Sequence, residues 1–248
     1  MGQGKGILYG VGLGPGDPDL MTVKARRVLA SSKTIAYFRK PGRPGHARTI
    51  VEGLLPAGGV HEIALEYPVT TELPVESEGY VQAIRAFYAQ AAVRLAELLD
   101  RGENVALLCE GDPFFYGSFL HMYDRLRATH TVEVIPGITG MSGCWTAAKA
   151  PITYGDDVLT VLPGTMAAAA LTEKLKGTDA AVIMKVGRNL AKIRRCLEQA
   201  GRLDEAIYVE RGTMAGQRVV RLAELDHAGA PYFSIILLPG GRGRRIGP

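Results

Sequence analysis

The sequence predicts an α/β protein of two domains, the first built on a parallel sheet and the second on a mixed one. Three observations carry that prediction. The chain has 248 residues, more than one ordinary domain of ~150 residues holds. Short, almost uniformly apolar runs alternate with segments of helical periodicity, the pattern of parallel strands covered on both faces. Glycine is in surplus, 31 of 248 residues against a typical ~7%, and much of it lies in turns that follow strands.

The elements follow in order. Residues 6–12 (GILYGVG) form a strand, and residues 20–31 a helix with Val23, Ala25, Val28 and Leu29 on one face. Residues 34–37 make a second strand. The segment 78–100 places Val81, Ile84, Phe87, Ala91, Leu95 and Leu98 on one stripe of a long helix. That helix stops at Arg101-Gly102, where glycine suits a left-handed C-terminal residue. Residues 104–109 (NVALLC) are too short and too apolar for anything but a buried strand. A helix over 113–127, with Asp112 as N-cap and Pro113 at N1, leads to a strand at 131–135. A helix over 139–149 ends at Ala150-Pro151, which places the domain boundary there, giving 1–150 and 151–248. The second half has helices at 166–175 and 190–200 and strands at 180–186, 206–210, 217–221 and 232–238, with an antiparallel pair among the later ones.

Composition excludes several classes. Hydrophobic residues at 47% and charged residues at 22% exclude wholesale disorder. Apolar runs of about half a dozen residues fall far short of the ~18 of a membrane helix, and no secretory signal is seen. These readings place the chain in the cytoplasm, with no membrane partner. The net charge of +4 is mild and no basic stripe points to nucleic acid. Cys109, Cys144 and Cys196 lack metal or disulfide spacing and read as reduced core thiols. The five histidines, His46, His61, His121, His130 and His227, are dispersed, so no protein-bound metal is expected. Asp156-Asp157 reads as a turn rather than a catalytic pair, and the tail, with Gly240, Gly241, Gly243, Gly247 and the arginines at 242–245, reads as frayed.

Seven of the 31 glycines precede residue 17. The turn Gly12-Leu-Gly-Pro-Gly-Asp-Pro18 has neither dinucleotide-fingerprint nor Walker spacing, yet permits close approach to backbone. A second cluster, Glu110-Gly-Asp-Pro-Phe-Phe-Tyr-Gly-Ser118, follows the buried strand. In it Gly111 admits a ligand, Asp112 can accept from hydroxyls, and Phe114, Phe115 and Tyr116 offer walls. A third, Pro136-Gly-Ile-Thr-Gly140, repeats the arrangement. Three glycine-rich turns after three parallel strands converge on one rim, the ligand edge of such sheets.

These residues carry a resemblance. Gly10-Val-Gly-Leu-Gly-Pro-Gly-Asp-Pro-Asp-Leu-Met-Thr-Val-Lys-Ala25, Gly111-Asp-Pro113 and Pro136-Gly-Ile-Thr139 resemble, in order and spacing, three motifs of the S-adenosylmethionine-dependent tetrapyrrole methylases. Segments 143–148, 156–165, 184–189, 208–214 and 231–236 look most like the branch that acts on corrin precursors. The resemblance implies methyl transfer to carbon 20 of precorrin-2 or its cobalt form, with the cofactor in a trough between two α/β domains of a homodimer. Other corrin carbons, a ribosomal-RNA ribose methyltransferase of similar fold and a non-catalytic cofactor-binding protein stay open as alternatives. Carried over by position, cofactor contacts fall at Pro15, Glu110, Gly111, Asp112, Phe115, Thr139, Gly140, Met184 and Gly212. Arg39, Lys40, Lys185 and Arg188 flank these motifs and are candidates for the substrate's carboxylates. Related uroporphyrinogen methylases carry an aspartate where this chain has Phe38, so no catalytic base is named.

Overall fold

The structure, a computed structural model, describes residues 4–56, 59–69, 77–226 and 229–241. His227 and the tail beyond Gly241 lie outside the described residues. Packing divides the chain into two units, Met1–Thr139 and Gly140–Pro248.

In the first unit, β1 (Ile7–Gly12), β2 (Thr34–Arg39), β3 (His61–Glu66), β4 (Val105–Cys109) and β5 (Thr131–Ile135) form one sheet in the order β3-β2-β4-β1-β5. Every pairing is parallel. Parallel neighbours require crossovers, supplied by α1 (Val23–Ser31), α2 (His46–Ile50), α3 (Glu78–Asp100) and α4 (Phe119–Leu126). Alternation along the strands sends Leu8, Ala36, Leu107 and Cys109 against Phe87, Leu95, Phe119 and Met122 of α3 and α4. Val11, Ile35, Ala106 and Leu108 pack on the opposite face against Ala25 and Leu29 of α1 and Ile50 of α2. Burying both faces is why the central strands read as unbroken apolar runs.

The second unit begins with α5 (Gly140–Ala147). Its sheet is β6 (Leu159–Pro163), β7 (Ala180–Met184), β8 (Ile207–Glu210), β9 (Arg218–Arg221) and β10 (Ser234–Leu238), in the order β6-β7-β10-β8-β9. It is mixed as expected: β6 and β7 are parallel, while β10 runs antiparallel to β7 and β8, and β9 antiparallel to β8. The helices α6 (Ala168–Lys176) and α7 (Leu190–Gln199) cover one face. Cys144 and Trp145 of α5 pack on the other, with Val182, Val209, Ile235 and Leu237.

Several expectations are corrected. The boundary falls at 139/140 rather than near 150, because α5 packs within the second unit. The helix expected from Pro113 starts only at Phe119, since residues 113–117 turn first, with Tyr116 at φ 55°. The edge strands β3 and β6 and the short α2 have no counterpart among the predicted elements. The strand expected at 180–186 ends at Met184, where Lys185 takes φ 56°. Gly240 and Gly241 are not frayed: Gly240 N–H donates to Ile152 O at 2.9 Å, and Gly241 N–H to Asp157 Oδ2 at 2.7 Å. The same Asp157 oxygen accepts from Tyr154 N–H at 2.8 Å, the turn-forming role expected of that acid pair.

Candidate functional site

The three glycine-rich turns of the first unit follow β1, β4 and β5, adjacent strands of one parallel sheet, so they share a rim. They are also bonded to each other. Gly111 N–H donates to Gly14 O at 2.8 Å and Gly14 N–H to Gly111 O at 3.3 Å, a two-residue antiparallel bridge between the first and second turns. Asp112 joins the second turn to the third: Oδ2 accepts from Gly137 N–H at 3.0 Å, and Oδ1 from Phe114 N–H at 2.9 Å. A Cβ on Gly12 would lie 2.6 Å from Gly137 N, and one on Gly137 would collide with Gly111 O. Part of the glycine surplus therefore serves backbone against backbone.

Asp112 is thus no N-cap of α4. Its carboxylate is engaged by two backbone N–H groups, and it organises the rim by fixing the spacing of two turns. Glu110 works in a similar way. Its Oε1 accepts from Ala47 N–H in the first turn of α2, at 3.1 Å. Burial pushes its carboxyl above the ordinary glutamate value, against the opposing pull of that N–H. Pro15, Phe115 and Thr139 are half-buried on these same turns.

In the second unit β7 and β8 both run antiparallel to β10, so their C-terminal ends share an edge with the start of β10. Met184 ends β7 and packs, half-buried, with the group that includes Cys144 and Ile235. A Cβ on Gly212 would meet Cys144 Sγ at 2.7 Å, and one on Gly140 would touch Ile235 at 3.9 Å. The structure therefore gathers Gly140, Met184 and Gly212 about α5. Burial pushes the Cys144 thiol up to about 12, with Gly212 N–H pulling the other way.

Backbone strain marks the same edges. Tyr116, Lys185, Arg211 and Thr213 all hold positive φ, of 55°, 56°, 48° and 67°. A β-branched residue such as Thr213 is a true outlier there, and its buried Oγ1 has no hydrogen-bond partner. Strain of this kind concentrates at ligand sites. Thr213 was not singled out in the sequence; the local signal was only a Gly-Thr turn after a strand.

The candidate substrate cations fall into two pairs. Arg39 ends β2 and directs Nε (2.9 Å) and Nη2 (2.7 Å) at Glu66 Oε1, while Lys40 is exposed beside it. Lys185 and Arg188 are exposed just after β7. Phe38 packs among Tyr67, Phe87 and Tyr88, with ring centroids 5.6, 6.1 and 6.1 Å away. Among the described residues, no three His, Cys, Asp or Glu side chains gather as metal ligands, and no helix is long and apolar enough to cross a membrane.

Comparison with known proteins adds to this geometry. The sequence model of the tetrapyrrole (corrin/porphyrin) methylases matches residues 7–226. The chain is 55% identical over 243 residues to the precorrin-2 C(20)-methyltransferase of a Sinorhizobium species, covering 98% of this chain and 99% of that one. It is 30% identical over 238 residues to the cobalt-precorrin-2 C(20)-methyltransferase of Salmonella typhimurium, covering 94% and 96%. Among solved structures, the uroporphyrin-III C-methyl transferase of Thermus thermophilus, complexed with S-adenyl homocysteine, is similar in fold. The TM-score is 0.65 at 21% identity, covering 94% of this chain and 92% of that one.

Proposed function

The chain belongs to the tetrapyrrole (corrin/porphyrin) methylases, and on that footing we propose that it transfers a methyl group from S-adenosylmethionine to C(20) of precorrin-2 in cobalamin biosynthesis. The observation that carries this is the 55% identity, over nearly the full length of both chains, to a precorrin-2 C(20)-methyltransferase. Likeness to a cobalt-precorrin-2 enzyme keeps the cobalt form as a second substrate.

The residues suit the cofactor. S-adenosylmethionine supplies an electrophilic methyl on a sulfonium centre, beside a polar amino acid and an adenosine. Backbone groups at Pro15, Gly111, Thr139 and Gly140 can take polar contacts. Phe115 and the soft, adaptable Met184 supply apolar surface. Glu110 and Asp112 hold the turns in register, and Gly212 keeps backbone close to α5. The orphaned Thr213 hydroxyl is one that a ligand's polar atom would complete.

An electron-rich meso carbon can attack the methyl directly, forming the carbon–carbon bond as the methyl–sulfur bond breaks. S-adenosylhomocysteine leaves and the ring carbon's proton passes to solvent, so the protein's task is alignment of the two reactants and exclusion of water from the sulfonium. Phe38 supports this, because an aromatic cluster occupies the position at the end of β2. Lys40, Lys185 and Arg188 are assigned to the substrate's carboxylates, with Arg39 joining once released from Glu66. We place the enzyme in the cytoplasm as a homodimer; the buried, unpaired cysteines suit a reducing compartment.

The test incubates purified protein with labelled S-adenosylmethionine and enzymatically made precorrin-2, with and without cobalt. Product mass and carbon NMR should locate the methyl at C(20). Transfer to another ring carbon overturns the position. Cofactor binding without any transfer makes the chain a cofactor-binding protein instead.

A further inference from the structure

Ser118 stands at the N-cap position of α4 but does not cap it. Its backbone is helical, φ −67° and ψ −16°, and its side chain makes no capping bond, whereas a capping serine sits in the extended region and accepts from the first turn. The hydroxyl goes elsewhere. Ser118 Oγ lies 2.5 Å from Tyr67 Oη and 2.9 Å from Tyr88 Oη.

The two phenols come from separate, fixed places. Tyr67 follows β3, and its N–H donates to Arg39 O at 3.0 Å, continuing the β2–β3 ladder. Tyr88 lies on α3, only 6% exposed, with the His121 ring of α4 stacked on it at 4.0 Å. Phenylalanine would fill both positions as well by packing alone. What the hydroxyls add is a tether to a polar residue at the end of the second glycine-rich turn.

That turn is held at its other end by Asp112, through Phe114 N–H and Gly137 N–H. Between the anchors lie Phe115 and Tyr116, the latter at φ 55°, a conformation that persists only where its surroundings enforce it. Asp112 alone fixes one end. We propose that Tyr67, Tyr88 and Ser118 form a three-hydroxyl clamp that sets the shape of residues 112–117 for cofactor binding, so that all three are positioning residues. The proposal rests on the reading of that turn as part of the cofactor site.

The test measures S-adenosylhomocysteine binding by calorimetry and amide exchange by mass spectrometry on the full chain. Ser118→Ala should weaken binding about 5- to 20-fold and speed exchange in residues 114–117. It should raise the KM for S-adenosylmethionine with kcat little changed. Tyr88→Phe, losing one of the two bonds, should fall between, and Ser118→Thr should return affinity to within about twofold. Binding by Ser118→Ala within twofold of the unaltered chain overturns the proposal. So does faster exchange spread evenly over the whole first unit, since that marks a merely structural role. If the unaltered chain does not bind S-adenosylhomocysteine, the cofactor reading itself fails and the clamp's binding role with it. The exchange result then shows separately whether the tether exists.

Discussion

Glu110 shows how much of a rim residue's surroundings its neighbours in sequence leave out. The motif singles it out, but nothing in the sequence reveals that Ala47, 63 residues away, would donate to it. Asp112 is a similar case: Asp before Pro reads locally as a helix start, and its real partner, Gly137, is 25 residues on. The pH behaviour of Glu110 follows from its environment. Burial raises its carboxyl above the unfolded value of ~4.3. A carboxyl with a raised folded value contributes stability that is present below the unfolded value and lost as pH rises through the folded one. At neutral pH its charge is therefore a cost to the folded state. Glu110→Gln keeps a carbonyl oxygen for Ala47 N–H and removes that charge. The variant should melt at the same temperature as the unaltered chain or a few degrees higher at pH 7, with the gap closing as pH falls towards ~4. Calorimetric melts across that range check it; a variant less stable at pH 7 shows that the ionised carboxylate has a stabilising partner.

At the scale of elements, legibility depended on burial. The central strands β1 and β4 are covered on both faces, so their apolar runs, with the 23-residue periodic stripe of α3, were plain in the sequence. The edge strands β3 and β6 were not. In His61–Glu66 only Ile63 and Leu65 are buried, and Leu159–Pro163 buries only Leu162. The late start of α4 was equally hidden, because the bonds at the two ends of the 113–117 turn come from Tyr67 just after β3, from Tyr88 of α3 and from the third glycine-rich turn. Gly212 carries a reason that sequence could not supply. The glycine admits α5: a Cβ there would sit 2.7 Å from Cys144 Sγ and 3.1 Å from the Cys144 α-carbon. Gly212→Ala should push α5 outward and destabilise the protein by about 1–3 kcal/mol, the range for overpacking. Cys144→Ala removes the sulfur, so the double variant should recover part of that loss, while crowding against the helix backbone keeps it below the parent. Urea unfolding of the three variants checks this; additive losses would mean the two residues do not meet.

At the scale of the molecule, each unit has a five-stranded sheet with apolar cores on both faces, which is what independent stability asks of a sheet. The proline after Ala150 drew the sequence boundary to the end of α5, because a chain break reads like a domain break. The packing says otherwise. Cys144 and Trp145 of α5 cover Val182, Val209, Ile235 and Leu237, a sheet face that neither α6 nor α7 reaches. A fragment of residues 140–248 should therefore fold, and one of residues 151–248 should not, since it leaves that face bare and adhesive. Trp145 is the chain's single tryptophan and lies within the helix in question. In the longer fragment its emission should be blue-shifted and move red in one cooperative step as urea is added. The shorter fragment, lacking the tryptophan, should bind an apolar dye strongly and show no cooperative loss of circular dichroism. Equal, cooperative unfolding of both fragments would return α5 to the first unit and restore the boundary near residue 150.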